Sequence, residues 1–364
     1  MHKTSAWPLA LIYVGLVVYA SLYPFADWRN QGIEPWAFLT GPLPKYWTGF
    51  DLVSNVLGYA PLGFLLALSA LRTGRGTHAV LRTTLVTGLL SLLMETLQSY
   101  LPARVPSNVD FVLNVLGAWM GAVTASVLEK LGTIDRWSRF RARWFVVDAR
   151  GGLVLLALWP LALLFPAAVP FGLGQVLERL EAALAVVLQA TPFLDWLPVR
   201  DVELQPLVAG AELVCVMLGL LIPCLLGFCI IRSSARRITF VAGVFAAGIG
   251  ATALSAALSY GPSHAWAWLS LPVQVGLGVA LLLAALMLSV PRRASAALML
   301  LALGVYLSML NQAPASPYFA QTLQTWEQGR FIRFHGLAQW LGWLWPYAAL
   351  VYVLAQVWGR EAKN

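Results

Sequence analysis

Residues 206–231 read PLVAGAELVCVMLGLLIPCLLGFCII, and Glu212 is the single ionisable side chain of the carboxylic or basic type in the run. A crossing helix needs about 20 mostly apolar residues, because each adds about 1.5 Å across a hydrocarbon core of about 30 Å. The run is long enough to cross. Nine further stretches share its character: 7–24, 51–71, 83–101, 110–131, 151–168, 239–258, 267–290, 294–311 and 336–357. The 364-residue chain is 59% hydrophobic and 11% charged, with mean hydropathy +0.73. A soluble domain carries about 25% charged residues, so the apolar surplus exceeds what a water-soluble core can hide. Disorder and a disulfide scaffold are excluded by the same figures. Alternating runs of about ten residues, the mark of a membrane barrel, are absent. Backbone in lipid must satisfy its own hydrogen bonds. The expectation is an all-α, polytopic integral membrane protein of about ten helices.

Basic residues orient it. With the N-terminus inside, 17 of the 24 lysines and arginines fall on the inner side, and both termini are cytoplasmic, as the positive-inside bias requires. The first apolar stretch lacks a clean small-x-small cleavage site and reads as an uncleaved anchor. The basic segment 132–150 divides the chain into a four-helix domain, 1–131, and a six-helix domain, 151–364. Its Arg136, Arg139, Arg141 and Arg143, interleaved with Trp137, Phe140, Trp144 and Phe145, read either as an interfacial helix on anionic lipid or as a topology signal. Basic residues scattered over short loops do not make a nucleic-acid surface. Outer residues 169–205 contain a short amphipathic stretch, Val176–Leu184, expected to lie at the membrane surface. The outer loop 312–335 holds the Trp326–Arg333 stretch. Pro160, Pro166 and Pro170 are read as one kinked helix.

The chemistry concentrates in the first domain. Asp51-Leu52-Val53-Ser54-Asn55-Val56-Leu57-Gly58 repeats as Asp110-Phe111-Val112-Leu113-Asn114-Val115-Leu116-Gly117. The spacing i, i+4, i+7 puts Asp, Asn and Gly on one helix face. Asp51 and Asp110 stand at helix N-termini, where a carboxylate caps free N–H groups and complements the dipole. Asn55 and Asn114 lie about 6 Å deeper by rise per residue, where an amide facing lipid is costly; they are expected to face the bundle interior. Gly117 and Gly121 form G-x-x-x-G, a signal for close backbone approach. Glu95 and Gln98 share a face of the third helix, and an intramembrane carboxylate is a functional-site candidate by default; its competing reading is a structural hydrogen bond to a neighbouring asparagine. Arg104, between Pro102 and Pro106, is placed to fold over the outer mouth toward Glu95 or Asp110. Asp51, Asn55, Glu95, Gln98, Arg104, Asp110 and Asn114 thus share one level, the outer third of the membrane, and form the candidate ligand-binding set. Glu212 is the candidate polar link between the two blocks.

These residues also carry a family resemblance. The run Asn55-Val56-Leu57-Gly58-Tyr59-Ala60-Pro61-Leu62-Gly63-Phe64-Leu65-Leu66, then Glu95-x-x-Gln98, Pro102-x-Arg104 and Asp110-x-x-x-Asn114-x-x-Gly117-Ala118-x-x-Gly121 resembles the VanZ-like family, named for a membrane protein associated with low-level teicoplanin resistance. The resemblance covers roughly residues 10–130. It implies a four- or five-helix membrane domain with no established cofactor and no settled activity; residues 151–364 carry no such resemblance. The leading expectation is a cell-envelope protein of the inner (cytoplasmic) membrane that binds an amphiphile at the outer leaflet, a lipid-linked envelope precursor or a lipophilic antibiotic. Its rivals are an enzyme on such a lipid, with Glu95 as general base and Arg104 holding an anionic group, and a secondary transporter, against which stands the lack of a paired helix break. No P-loop, nucleophile elbow or H-E-x-x-H motif is present. His2, His78, His264 and His335 are isolated, Cys215, Cys224 and Cys229 share one helix, and neither set composes a metal site. The expected partners are membrane lipids and such a ligand, with no nucleic acid, no metal and no cofactor; the oligomeric state is not encoded in any of these features.

Overall fold

The computed structural model describes residues 6–23, 25–43, 49–74, 76–165, 167–189, 191–196, 204–260, 262–314 and 332–361; the side chains of 50, 51, 195, 196, 259, 260, 332–338 and 358–361 are not among the described ones. The chain falls into two compact units, Met1–Phe140 and Arg141–Asn364. Among the described residues, seven helices are at least 18 residues long and apolar enough to cross a membrane, and three apolar helices are shorter. The protein is an all-α polytopic membrane protein.

The first unit holds α1 (Ala6–Leu22), the short α2 (Ala37–Thr40), α3 (Gly49–Arg72), α4 (Ala79–Gln98) and α5 (Asn108–Lys130). α3 and α5 run parallel and lie against each other along a seam of small residues. A Cβ added to Gly117 would fall on the carbonyl of Val56, one on Gly121 on the carbonyl of Ala60, and one on Gly63 on the carbonyl of Ala118. The close approach signalled by G-x-x-x-G is therefore made to α3. Gly58, the repeat partner of Gly117, has open space around its Cβ position, so the two copies of the repeat do different work. α1 packs on α3 and α4 through Ala10, Val17, Leu22, Tyr59, Leu62 and Met94, and Tyr13 donates to the carbonyl of Gly58 at 2.9 Å. At the opposite end, Arg72 pairs with Glu129 at 3.2 Å and with Asp135 at 2.8 Å.

The boundary between the units falls within α6 (Thr133–Trp144). This helix has no buried residue, and neither has α8 (Leu177–Leu188), the amphipathic stretch anticipated in 169–205. The second unit is built around α9 (Ala209–Ile230), the helix of the opening run. A helix that is apolar on all sides belongs inside a bundle, and 83% of its most hydrophobic window is buried. Around it stand α7 (Arg150–Ala162), α10 (Ser234–Tyr260), α11 (Leu271–Leu286) and α12 (Arg292–Leu310), while α13 (Ile332–Glu361) packs on α7 and α12. The three cysteines of α9 are buried.

α7 departs from expectation. It ends at Ala162, not near 168, because a proline at 166 brings no N–H for the Ala162 carbonyl; that carbonyl accepts from Phe165 N at 3.3 Å. The stretch after it is buried but irregular, with Val169, Phe171 and Leu173 inside. Its polar backbone is served by side chains. Tyr306 Oη donates to Phe171 O at 2.6 Å and accepts from Leu173 N. Asn311 Oδ1 accepts from Val176 N and Leu177 N, each at 3.1 Å, and Asn311 Nδ2 donates to Gly174 O at 3.2 Å. Irregular backbone at membrane depth is tolerated only when it is buried in protein or lines a cavity. The proline series therefore terminates a helix and does not merely kink it.

Candidate functional site

The first unit gathers its polar side chains at the end where α4 finishes and α5 begins. Ser107 is the N-cap of α5, its Oγ accepting from Asp110 N at 3.3 Å. Ser107-x-x-Asp110 has the spacing of a capping box, in which the acidic side chain takes the N-cap N–H. Here the N–H of Ser107 donates to Glu95 Oε2 at 2.9 Å. The carboxylate of α4 thus holds the first turn of α5. Asp110 Oδ1 accepts from Asn55 Nδ2 at 2.7 Å, which ties α5 to α3.

One turn deeper, Asn114 Nδ2 donates to Ser91 Oγ at 3.0 Å. Ser91 precedes Glu95 by four residues and shares its face. Glu95 is 3% exposed and Asn114 4%, so both asparagines take part in interhelix bonds and Asn114 faces the interior. Asn114 Oδ1 is buried and has no hydrogen-bond partner among the described residues, while the buried Tyr59 hydroxyl sits beside Ser91 and Ser21. A buried polar atom left unpaired costs about 1–3 kcal/mol.

Gln98 and Arg104 serve α1. Gln98 Nε2 donates to Ser21 O at 3.1 Å. The Arg104 guanidinium donates to Tyr23 O from Nε at 3.0 Å and to Ala20 O from Nη2 at 2.9 Å. A cation on the last carbonyls of a helix satisfies orphan acceptors and complements the dipole. The backbone of Ser107 is one contact of the 102–107 loop with Glu95. The segment before α3 joins the same end: Gln31 Nε2 donates to Ser99 O and Asn108 Nδ2 to Gly41 O, each at 2.9 Å. Asp51 lies within α3, but its side chain is outside the described residues. In the second unit, Glu212 Oε1 accepts from Ser270 Oγ at 3.3 Å, a bond between α9 and the start of α11. The Trp326–Arg333 stretch lies outside the described residues apart from the first residues of α13. Among the described residues no group of three or more His, Cys, Asp or Glu side chains is placed to hold a metal ion.

Three of these participants were not singled out from sequence. Ser107 had a readable signal in its capping-box spacing, and Ser91 in its i, i+4 relation to Glu95. Tyr59 had none, since an aromatic in an apolar helix looks like packing.

Fold and site together define a class: a multi-helix membrane protein with a buried carboxylate–amide cluster at one end of its first bundle. Residues 6–129 match the family model described as VanZ/LLP1, so this segment is VanZ-like, and the match covers the helices that build the cluster. No curated protein and no solved structure gives a significant match to the chain.

Proposed function

We propose that the VanZ-like unit binds the polar head of an amphiphile, a lipid-linked envelope precursor or a lipophilic antibiotic, at the outer leaflet of the cytoplasmic membrane. The observation that carries this reading is the buried, unpartnered Asn114 Oδ1, in the cluster that contains the buried Glu95. A hydroxyl or amide donor of a headgroup would satisfy it, with the alkyl part left in lipid. Glu95 supplies an acceptor whose hydrogen bonds are charge-assisted and stronger than neutral ones. Arg104 and Gln98 hold α1 in place as the wall of the site.

Glu95→Gln tests this. Glutamine keeps an acceptor for Ser107 N, so the variant should fold and melt as the wild type does. Losing a charged hydrogen-bond partner costs about 1.5–3 kcal/mol, or about ten- to a hundredfold in affinity. Lipid extracted from the purified protein and identified by mass spectrometry should accordingly show one amphiphile retained by wild type and depleted at least tenfold in the variant. Equal retention in a well-folded Glu95→Gln protein would leave the cluster as bundle packing.

The orientation in this proposal has its own test. The native cysteines are buried, so added ones report cleanly. Cysteines at exposed Asn30 and Ser263 should react with an impermeant maleimide in intact cells, while those at Thr77, Ser138 and Ser234 should react only after lysis. Reaction at Ser234 in intact cells would reverse the side assigned to every later loop.

A further inference from the structure

The second unit contains a cavity of about 570 Å³, within the range of about 300–1,000 Å³ typical of ligand pockets. Its place in the fold is specific. α7 has 13 residues and α11 has 16, so at about 1.5 Å per residue neither spans a hydrocarbon core of about 30 Å. α7 continues as irregular chain through 163–165 and 167–176, and α11 is preceded by a short 3-10 turn, Pro262–His264, and irregular chain through 265–270; both segments line the cavity. They meet where Phe171 and Trp268 pack edge to face at 5.7 Å between centroids. Two helices broken at one end of a bundle, a paired break that the sequence does not reveal, have their unwound segments around a common space, an arrangement by which membrane proteins build a polar site in lipid.

The lining sets the ligand's chemistry. Phe165, Phe171 and Trp268 give apolar and aromatic walls, and aromatic faces attract organic cations. Glu212 contributes a carboxylate and His264 an imidazole, and among the described residues no lysine or arginine lines the space. Thr252, on α10, has a buried Oγ1 with no hydrogen-bond partner among the described residues, and it lines the same cavity. A carboxylate, an unsatisfied hydroxyl and an aromatic enclosure together suit a group that is cationic, donates hydrogen bonds and carries an apolar body. We propose that this cavity is a binding site for a primary alkylammonium amphiphile, with the ammonium at Glu212 and Thr252 and the chain along Phe165, Phe171 and Trp268. Every residue involved belongs to the second unit, so the proposal stands apart from the reading of Glu95.

The test uses the full chain in phosphatidylcholine nanodiscs, whose lipid has no net charge, with radiolabelled dodecylammonium as probe and empty discs as the partition control. Wild type should show a saturable component. Glu212→Gln, which keeps an acceptor for Ser270, should weaken it about tenfold or more, as expected for loss of a charge-assisted bond. Thr252→Val, which keeps shape, should weaken it several-fold. Dodecyl sulfate and dodecanol should not compete. A photoreactive dodecylammonium should label peptides spanning 163–176 and 262–270 in wild type, a readout that holds even if a variant misfolds. The proposal is overturned if wild type shows no saturable component, if dodecyl sulfate competes equally, if a folded Glu212→Gln binds as wild type does, or if the photolabel falls elsewhere.

Discussion

Gly121→Val should abolish the folded first unit, whereas Gly58→Ala should leave it intact. A Cβ at 121 would fall on the carbonyl of Ala60 and close to the backbone nitrogen of Phe64. These are backbone atoms of a facing helix and cannot swing aside as a side chain can. Relief requires α3 and α5 to move apart, and that breaks the parallel seam formed with Gly63 and Gly117. Association of helices in lipid rests on such packing, since no hydrophobic force distinguishes a neighbouring helix from lipid tails. The expected cost is on the order of 4 kcal/mol or more, the range reserved for severe overpacking. Size-exclusion profiles of a fluorescent fusion should show aggregate for Gly121→Val. Gly58 has nothing within 4 Å of its Cβ position, and alanine is the better helix former by about 1 kcal/mol, so Gly58→Ala should melt at or slightly above the wild-type temperature. Equal melting of the two variants would mean that the seam is not the contact that holds the unit.

Arg237→Leu should be the most damaging single change in the second unit. Arg237 is 5% exposed. Its guanidinium donates to Leu288 O at 2.8 Å, Val290 O at 2.7 Å and Phe228 O at 2.9 Å. The carbonyls belong to the last turns of α9 and to the segment after α11, so one side chain on α10 closes three pieces of chain. Leucine would fill part of the volume and leave three carbonyls without this partner, at about 1–3 kcal/mol for each that stays buried and unpaired. Arg237→Lys should rescue only in part, since a single ammonium lacks the planar fork that reaches separate acceptors. Thermal unfolding followed by tryptophan fluorescence should rank wild type above lysine above leucine. A leucine variant as stable as wild type would show that the carbonyls find other partners.

The sequence reading and the structure part company at identifiable places. The apolar runs were legible because crossing length and hydrophobicity are local properties, and the central helix was the run with fewest polar residues. The asparagine faces and the G-x-x-x-G approach were legible because helical period carries them. Arg237 was legible only as a charge that orients a loop; nothing local says that three carbonyls from two other segments converge on it. The sign of its charge turns Arg104 toward the acidic residues; the bonds it makes to the open carbonyls of α1 leave no mark on side-chain sequence. The stop in α7 was available in principle, since a proline four residues after Ala162 removes a helix bond. It was missed because one long apolar stretch with three prolines looks like a bent span until the buried irregular segment is seen paired with Tyr306 and Asn311.

The α3–α5 seam also bears on biogenesis. Synthesis delivers α3, then α4, then α5, and a chain folds in that order as it emerges. The partner that α3 needs along Val56, Ala60 and Gly63 is therefore the last of the three to arrive. Until then the face of α3 that receives Gly117 and Gly121 has no α5 on it. Along this seam the first unit would be completed last, when α5 arrives. A defect in the seam should accordingly spare insertion of α3 and α4 and strand the chain one helix short of its native bundle.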